Sequence, residues 1–346
     1  MNSTKLSPRM IDDKTPEWVR PASTACEIDR DRRIIRLDNT AINLWRMCPA
    51  KFGYRISDGL VRHGEEASSN LHLHYGIAWH AAMDALYKAV ADTGKNVDKN
   101  VDISYVDENI VEEWGTRAKD AWETATIDLA EDEKNKKTVG RGLQDIDAYI
   151  DKHYDDLQTY ELVDCEVMAK GQIEFIYDGD MWTLEYVGAL DKVLKSEEGL
   201  RVRDHKTMGY VNMHTGTGFL LANQLMGYAF LMSEMYGQQE VVTETDIVAI
   251  TRTKPPSDFM RTHLVMTPDK INEWVKEITA TCISILTCDT LGTWPRYGHE
   301  PCTRYGTCEY MEICLADADI RPDVAKKLYT VSPWDPGNRD SGNGSV

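Results

Sequence analysis

No long hydrophobic run occurs anywhere in the chain. Its most apolar helical stretch, FLLANQLMGYAFLM, is short for a membrane span and is broken by Asn and Gln, and the opening MNSTKLSPRMIDDK has no apolar h-region. The expectation is a soluble cytoplasmic protein with no membrane partner. Basic charge is scarce as well, with 39 Lys and Arg against 57 Asp and Glu and a net charge of −18. That balance argues against a nonspecific polyanion binder, because phosphate contacts need local cations. Any nucleic-acid role must rest on a local site helped by bound cations. No internal repeat is present. What the chain does have is 346 residues at 42% hydrophobic content, enough to bury the core of one large domain or two ordinary ones. It also has eight cysteines, which in a reducing compartment point to metal ligation or burial before disulfides.

Residues 1–34 are polar and contain proline, and read as a poorly packed arm. Asn39 and Thr40 offer N-caps to a short helix, AINLWRM, which stops at Cys48-Pro49. From Gly76, GIAWHAAMDALYKAV carries an apolar stripe at helical spacing. Residues 104–158 read as a charged helical subdomain with a hinge near Thr138–Gly140. The period then shortens. CEVMAKGQIEFIY, MWTLEYVGALDKVL and GLRVRDHKT form an antiparallel meander turning at Asp178-Gly179 and Ser196–Gly199. A helix from Gly218 to Tyr236, strands near 241–252 and 260–266, and a helix N-capped by Thr267 with Pro268 at its first position complete the order. The ending SPWDPGNRDSGNGSV has the composition of a disordered tail.

Chemistry concentrates in the meander. With Ser196–Gly199 as the loop, Lys195 pairs with Leu200, and the same register sets Asp191 opposite Asp204. Directly opposed like charges destabilise a sheet unless something offsets the repulsion. A divalent cation does so, since hard ions take carboxylate oxygens, water and phosphate. Alternation along the strand puts Asp204 and Lys206 on one face and turns His205 away. Two acids and an amine on one surface suit phosphodiester hydrolysis, whereas the plainer alternative is a strand pair with solvated charges.

Gly188-Ala189-Leu190-Asp191 followed by Asp204-His205-Lys206-Thr207 resembles the second and third motifs of the PD-(D/E)XK nuclease superfamily, in its RecB-like exonuclease branch. The resemblance implies an α/β fold with a restriction-endonuclease-like mixed β-sheet core flanked by α-helices. It implies metal ligation by Asp191, Asp204 and the backbone carbonyl of His205, with Lys206 catalytic. Gly76-Ile77-Ala78-Trp79-His80 is similar to the branch's G-x-x-x-H helix, which implies His80 as a further ligand. Imidazole binds Mn²⁺ more readily than Mg²⁺, so either ion is expected. Asn223-Gln224-Leu225-Met226-Gly227-Tyr228 resembles the branch's Q-x-x-x-Y signature, placing Gln224 and Tyr228 one helical turn apart at the same groove. Arg201, Arg203, Lys206, Arg252 and Lys254 are the basic residues available to line that groove.

Cys302, Cys308 and Cys314 lie near the C-terminus at five-residue gaps, and Cys48 stands alone far upstream. One cysteine before the core and three after it is similar to RecB-like members that hold a [4Fe–4S] cluster, although many of those space the last three as C-x₂-C-x₅-C. Zinc is the runner-up ligand, and buried free thiols are the plainer alternative. Cys165 and Cys282 read as core. The organisation predicted is an arm over 1–34, a nuclease domain over 35–316 and a mostly disordered tail over 317–346. The nuclease domain includes a helical subdomain near 90–160 and an iron–sulfur segment at 294–316. The function implied is a metal-dependent exonuclease acting on DNA ends or single strands in recombination, repair or phage DNA processing. It would work alone, as a homo-oligomer, or with recombination or replication proteins. The alternative is a catalytically idle DNA-binding subunit that keeps the fold.

Overall fold

A computed structural model of the chain describes residues 24–63, 71–94, 108–127, 129, 136–212, 214–250, 256–303 and 306–337. Two strands open it, β1 (Glu27–Asp29) and β2 (Ile34–Leu37), and Ile35 and Leu37 are fully buried. The end of the expected arm is therefore already part of the sheet. Residues 1–23 lie outside the described residues. Helix α1 (Asn39–Met47) is capped by Asp38, one residue earlier than expected, whose carboxylate accepts the Ala41 N–H at 2.8 Å. After Cys48 come α2 (Pro49–Phe52) and β3 (Leu60–Arg62), then three long helices, α3 (Leu71–Gly94), α4 (Glu108–Ala125) and α5 (Val139–Thr159). Thr138, at the expected hinge, caps α5 by accepting from Arg141 N.

The predicted meander forms β4 (Glu161–Tyr177), β5 (Asp180–Ser196) and β6 (Gly199–Met208). Asp178 and Gly179 both take positive φ, 51° and 81°, as a two-residue hairpin turn requires. The second loop is tighter than expected, because Ser196 also pairs with Gly199, but Lys195 faces Leu200 as the sequence indicates. β4 follows the whole of β5, while β2 and β6 share β5's other edge, β2 running parallel at Thr183–Tyr186. The expected single helix before the next strand is two, α6 (Thr215–Leu220) and α7 (Asn223–Tyr236). These cross over to β7 (Val241–Ala249), parallel to β6, and β8 (Asp258–Met266) returns antiparallel. The long α8 (Pro268–Leu291) starts at the predicted Thr267 cap.

The sheet separates two cores. On one side α7 and α8 press Phe230, Leu231 and Trp274 onto Leu184, Tyr186 and Leu190. Gly227 allows this closeness, since a Cβ there would sit 2.1 Å from the Tyr186 hydroxyl. On the other side the alanine stripe of α3 meets Trp114 and Trp122 of α4 and Ile146 and Tyr149 of α5, over Leu194 and Val248. The helical region is thus a full layer of the domain. Among the described residues no helix is long and apolar enough to cross a membrane.

Beyond α8 lie α9 (Glu300–Thr303), α10 (Met311–Leu315), α11 (Arg321–Leu328) and β9 (Tyr329–Val331), which pairs with β3. Residues 317–337 are therefore not the disordered tail expected. Tyr329 and Trp334 are buried, and each ties the segment to distant parts of the chain.

Candidate metal centre

Four elements converge on one point. α3 brings His80, β4 brings Glu166, β5 brings Asp191, and β6 brings Asp204 and Lys206. Among the described residues, His80, Glu166 and Asp191 place one ligand atom each within 4.8 Å of one another. The His80 Nδ1 atom lies 3.2 Å from Asp191 Oδ2 and 3.7 Å from Glu166 Oε1, yet it makes no hydrogen bond. Asp191 is held from behind, since its Oδ2 accepts the backbone N–H of His205 at 3.1 Å. Such a set of one imidazole and two carboxylates, half-buried to buried, fits Mn²⁺ or Mg²⁺. The His205 carbonyl belongs to the same peptide segment as the N–H that fixes Asp191.

Asp204 stands beside this trio. Both its carboxylate oxygens meet Lys206 Nζ at 2.9 Å, and Gln224 Nε2 donates to its Oδ1 at 3.2 Å. The same Gln224 amide donates to the Tyr228 hydroxyl at 2.8 Å. The residues the sequence assigned to the second and third motifs and to the Q-x-x-x-Y helix thus form one connected cluster. Glu166 is the ligand candidate that sequence reasoning missed. The Asp178-Gly179 turn carries the signal that would have found it: counting outward from that turn sets Glu166 opposite Asp191, between the laddered pairs Cys165–Lys192 and Val167–Leu190.

The electrostatics are those of a cation site. Burial disfavours the charged imidazole of His80, but the Asp191 carboxylate outweighs it and holds the ring protonated up to about 10. Burial likewise works against the Asp191 carboxylate, and the charge of His80 overcomes it and draws Asp191 well below the usual carboxylate range. Asp204 moves the other way, up to about 6, because burial and the charge of Asp191 exceed the pull of Lys206. Ligation of a divalent ion by His80 would require the neutral imidazole, so metal binding there would compete with protonation.

Other expected groove residues are elsewhere. Arg201 and Arg203 are buried on the opposite face of β6, paired with Glu244 at 2.5 and 2.7 Å, and Arg203 also with Asp156. They alternate with Asp204 and Lys206, so the pleat sends them into the core under α5. Arg252 and Lys254 lie outside the described residues.

The four grouped cysteines lie outside this centre, at the α1–α2 junction and in the C-terminal segment. Cys48 is buried between α1 and α2, whose Ala50 N–H donates to Pro295 O at 3.0 Å, and Trp294 packs on Phe52. Cys302 lies on α9 and Cys314 on α10, and the Cys308 N–H donates to Cys302 O at 2.9 Å. Burial raises the Cys314 thiol, and the charges of Cys48 and Cys302 bear on it too, as that of Cys302 does on Cys308. The Ala50–Pro295 contact seats the start of the C-terminal segment against the α1–α2 junction that carries Cys48. Cys282 is core as expected, whereas Cys165 is only partly buried.

No curated protein matches the chain. Among solved structures, the crystal structure of SSO0001 aligns over 67% of this chain and 95% of that one at 10% identity, with a TM-score of 0.26. That likeness is too loose to bear on fold or function. A family model described as the PD-(D/E)XK nuclease superfamily matches residues 37–315, from the second strand to the end of α10. Members of that superfamily are generally nucleases that use divalent metals such as Mg²⁺ or Mn²⁺ and act on DNA. The matched span holds every residue of the metal centre, and the mixed sheet flanked by helices is the superfamily's architecture: the chain belongs to the PD-(D/E)XK nuclease superfamily.

Proposed function

We propose that the chain is a metal-dependent DNA exonuclease of the RecB-like branch that acts on DNA ends or single strands, and that Cys48, Cys302, Cys308 and Cys314 hold a [4Fe–4S] cluster. The observation that carries the reading is the His80, Glu166 and Asp191 trio beside the Asp204–Lys206 pair. His80, Glu166, Asp191 and Asp204, with the His205 carbonyl, would hold the ion, which supplies a water acidified for attack and charge stabilisation at the phosphoryl group. Asp204 holds the Lys206 ammonium at the rim, where it can orient that water or meet the negative charge developing on the phosphate oxygens. Gln224 fixes the Asp204 carboxylate and carries the contact on to Tyr228, so the two α7 side chains position the amine. That linkage supports the RecB-like assignment. No covalent intermediate is required. For the thiol site, one cysteine at the α1–α2 junction and three in the C-terminal segment would staple the two ends of the domain.

A nuclease assay on single-stranded and duplex DNA with Mg²⁺ or Mn²⁺ tests the enzyme reading. The native chain should degrade DNA and Asp204→Ala should not; equal activity in both overturns it. An absorption spectrum and iron assay after anaerobic purification test the cluster, and colourless protein with stoichiometric zinc rejects it.

A further inference from the structure

Each member of the metal trio has a neighbour in a second, buried cluster. Asp84 lies one turn of α3 beyond His80, Lys192 follows Asp191 on β5, and Cys165 precedes Glu166 on β4, where it pairs with Lys192 in the ladder. Lys192 Nζ is in short contact with Asp84 Oδ1 and also donates to the main-chain carbonyl of Asp191 at 3.2 Å. The Lys192 side chain is fully buried and that of Asp84 partly so, at 0% and 17% exposure.

Burying an ammonium is costly, and a buried ion pair is commonly no better for stability than apolar side chains of the same volume. Stability alone is therefore a weak reason for this pair, and its position suggests another. The apolar stripe of α3, with Trp79, Ala82, Met83 and Leu86, faces α4 and α5 and locks the helix on that side. Next to His80 on the helix surface Tyr87 is buried, its ring against His205 and its hydroxyl accepting from Arg203, while the flank beyond carries Ile77, which is 53% exposed, the small Ala81, and Lys88, also exposed. On that flank no large buried apolar side chain holds the helix over the sheet. Asp84 and Lys192 do so instead, joining the helix one turn from His80 to the strand one residue from Asp191.

We propose that Asp84 and Lys192 are positioning residues, an ion pair that sets the spacing of α3 over β5 so that His80 meets Asp191 and Glu166 around a divalent ion. This rests on the metal-centre reading above. Groups that orient metal ligands from behind typically change affinity about 10- to 100-fold when removed.

The test is Mn²⁺ titration of the full chain, followed by electron paramagnetic resonance, in the native protein, His80→Ala and the double variant Asp84→Asn/Lys192→Met. The double variant removes one charge of each sign. It therefore leaves the net charge near the ion unchanged and strands no buried charge, and its fold should persist. Expected are tight binding in the native chain, loss of that binding in His80→Ala, and a Kd raised about 10- to 100-fold in the double variant, with circular dichroism and melting temperature near native. A folded double variant that binds Mn²⁺ within about threefold of native, against that expected range, overturns the positioning role while the metal centre stands. Native protein that binds no better than His80→Ala removes both. Should the double variant not fold, Asp84→Glu keeps the charge but lengthens the link by one methylene, and the same affinity loss is expected of it.

Discussion

Glu166 adopts φ of +52° in the interior of a strand, a left-handed backbone that costs a non-glycine residue on the order of 1–3 kcal/mol and is held only where its surroundings demand it. The surroundings here are His80 and Asp191, and the strained residue is the one that completes the trio. Glu166→Gln should keep the fold by circular dichroism while lowering Mn²⁺ affinity by more than about tenfold in the titration described above. Lys206 has a different part in the proposed reaction, because its ammonium would meet the phosphate while the carboxylates hold the ion. Lys206→Met should lower kcat by about 10²- to 10³-fold, the usual loss when one charge-stabilising donor is removed. Its Mn²⁺ affinity should not weaken, since a nearby positive charge has gone. Comparing the two variants separates holding the metal from using it. Asp191, Asp204 and Lys206 were legible as neighbours because hairpin register and strand alternation place them, whereas His80 was singled out by the resemblance of Gly76–His80 to the branch's G-x-x-x-H helix. Glu166 was not read, although the same register argument applies to it, because a glutamate in an alternating strand looks like an ordinary outward charge.

Among the elements, strands and caps were legible and breaks were not. Alternation and turn chemistry locate β4 to β6 to within a few residues, and Thr267 caps α8 as its sequence indicates. The periodicity of FLLANQLMGYAF runs on past the point where α6 ends and α7 begins. What breaks it there is tertiary: Asn223 is buried, donating to Asn39 Oδ1 at 3.0 Å and accepting from Trp274 Nε1 at 2.9 Å. α5 shows the same dependence. It leaves helical geometry at His153, with φ −111° and ψ 18°, and the last turn then carries Asp156 onto Arg203 and Arg261. Burial between Tyr149 and Phe259 pushes the His153 imidazole down to about 4. In that situation the unfolded chain binds the proton first, between pH 4 and the ordinary value of 6.5, so this group makes stability fall as pH is lowered through that window. His153→Phe should remove that part of the pH dependence, visible as melting temperatures of native and variant that diverge below pH 6.5 and run parallel above it. At the helix's other end Asp145 is fully buried, accepting from Arg141 at 3.3 Å and from both the N–H and the hydroxyl of Ser257 at 2.6 Å. Asp145→Ala takes the carboxylate away from the buried Arg141 and should cost about 3–5 kcal/mol in denaturant unfolding.

At the scale of the whole molecule, a net charge of −18 says little about the surface that would face DNA, because much of the basic charge near the sheet is spent inside. Arg203 is fully buried and Arg201 and Arg36 nearly so, each neutralised by carboxylates, so composition could not say which cations face a substrate. The C-terminal segment was misread for a related reason. Its Gly, Asn, Ser and Pro content describes its own chain and not the surface awaiting it. Cys26 N–H donates to Trp334 O at 2.8 Å, the Arg55 guanidinium lies 5.0 Å over the Trp334 ring, and Ser332 N–H donates to Gly59 O at 2.7 Å. Further in, Tyr329 stacks on Tyr310 with ring centroids 5.6 Å apart, and Tyr310 lies between Cys308 and Cys314. Residues 329–334 therefore bind the two ends of the chain to each other underneath the cysteine segment. Trp334→Ala should cost about 3–5 kcal/mol, as expected for truncating a buried aromatic. A chain ended after residue 316 would lose Tyr329 and Trp334 together and expose Leu60 and Tyr310, which they help to cover. If Cys48 and the three late cysteines share a cofactor, that shorter chain should retain less iron per protein after anaerobic purification, and Trp334→Ala should lie between it and the native chain. Full iron content in the shortened chain would mean that the four thiols hold their positions without the strap.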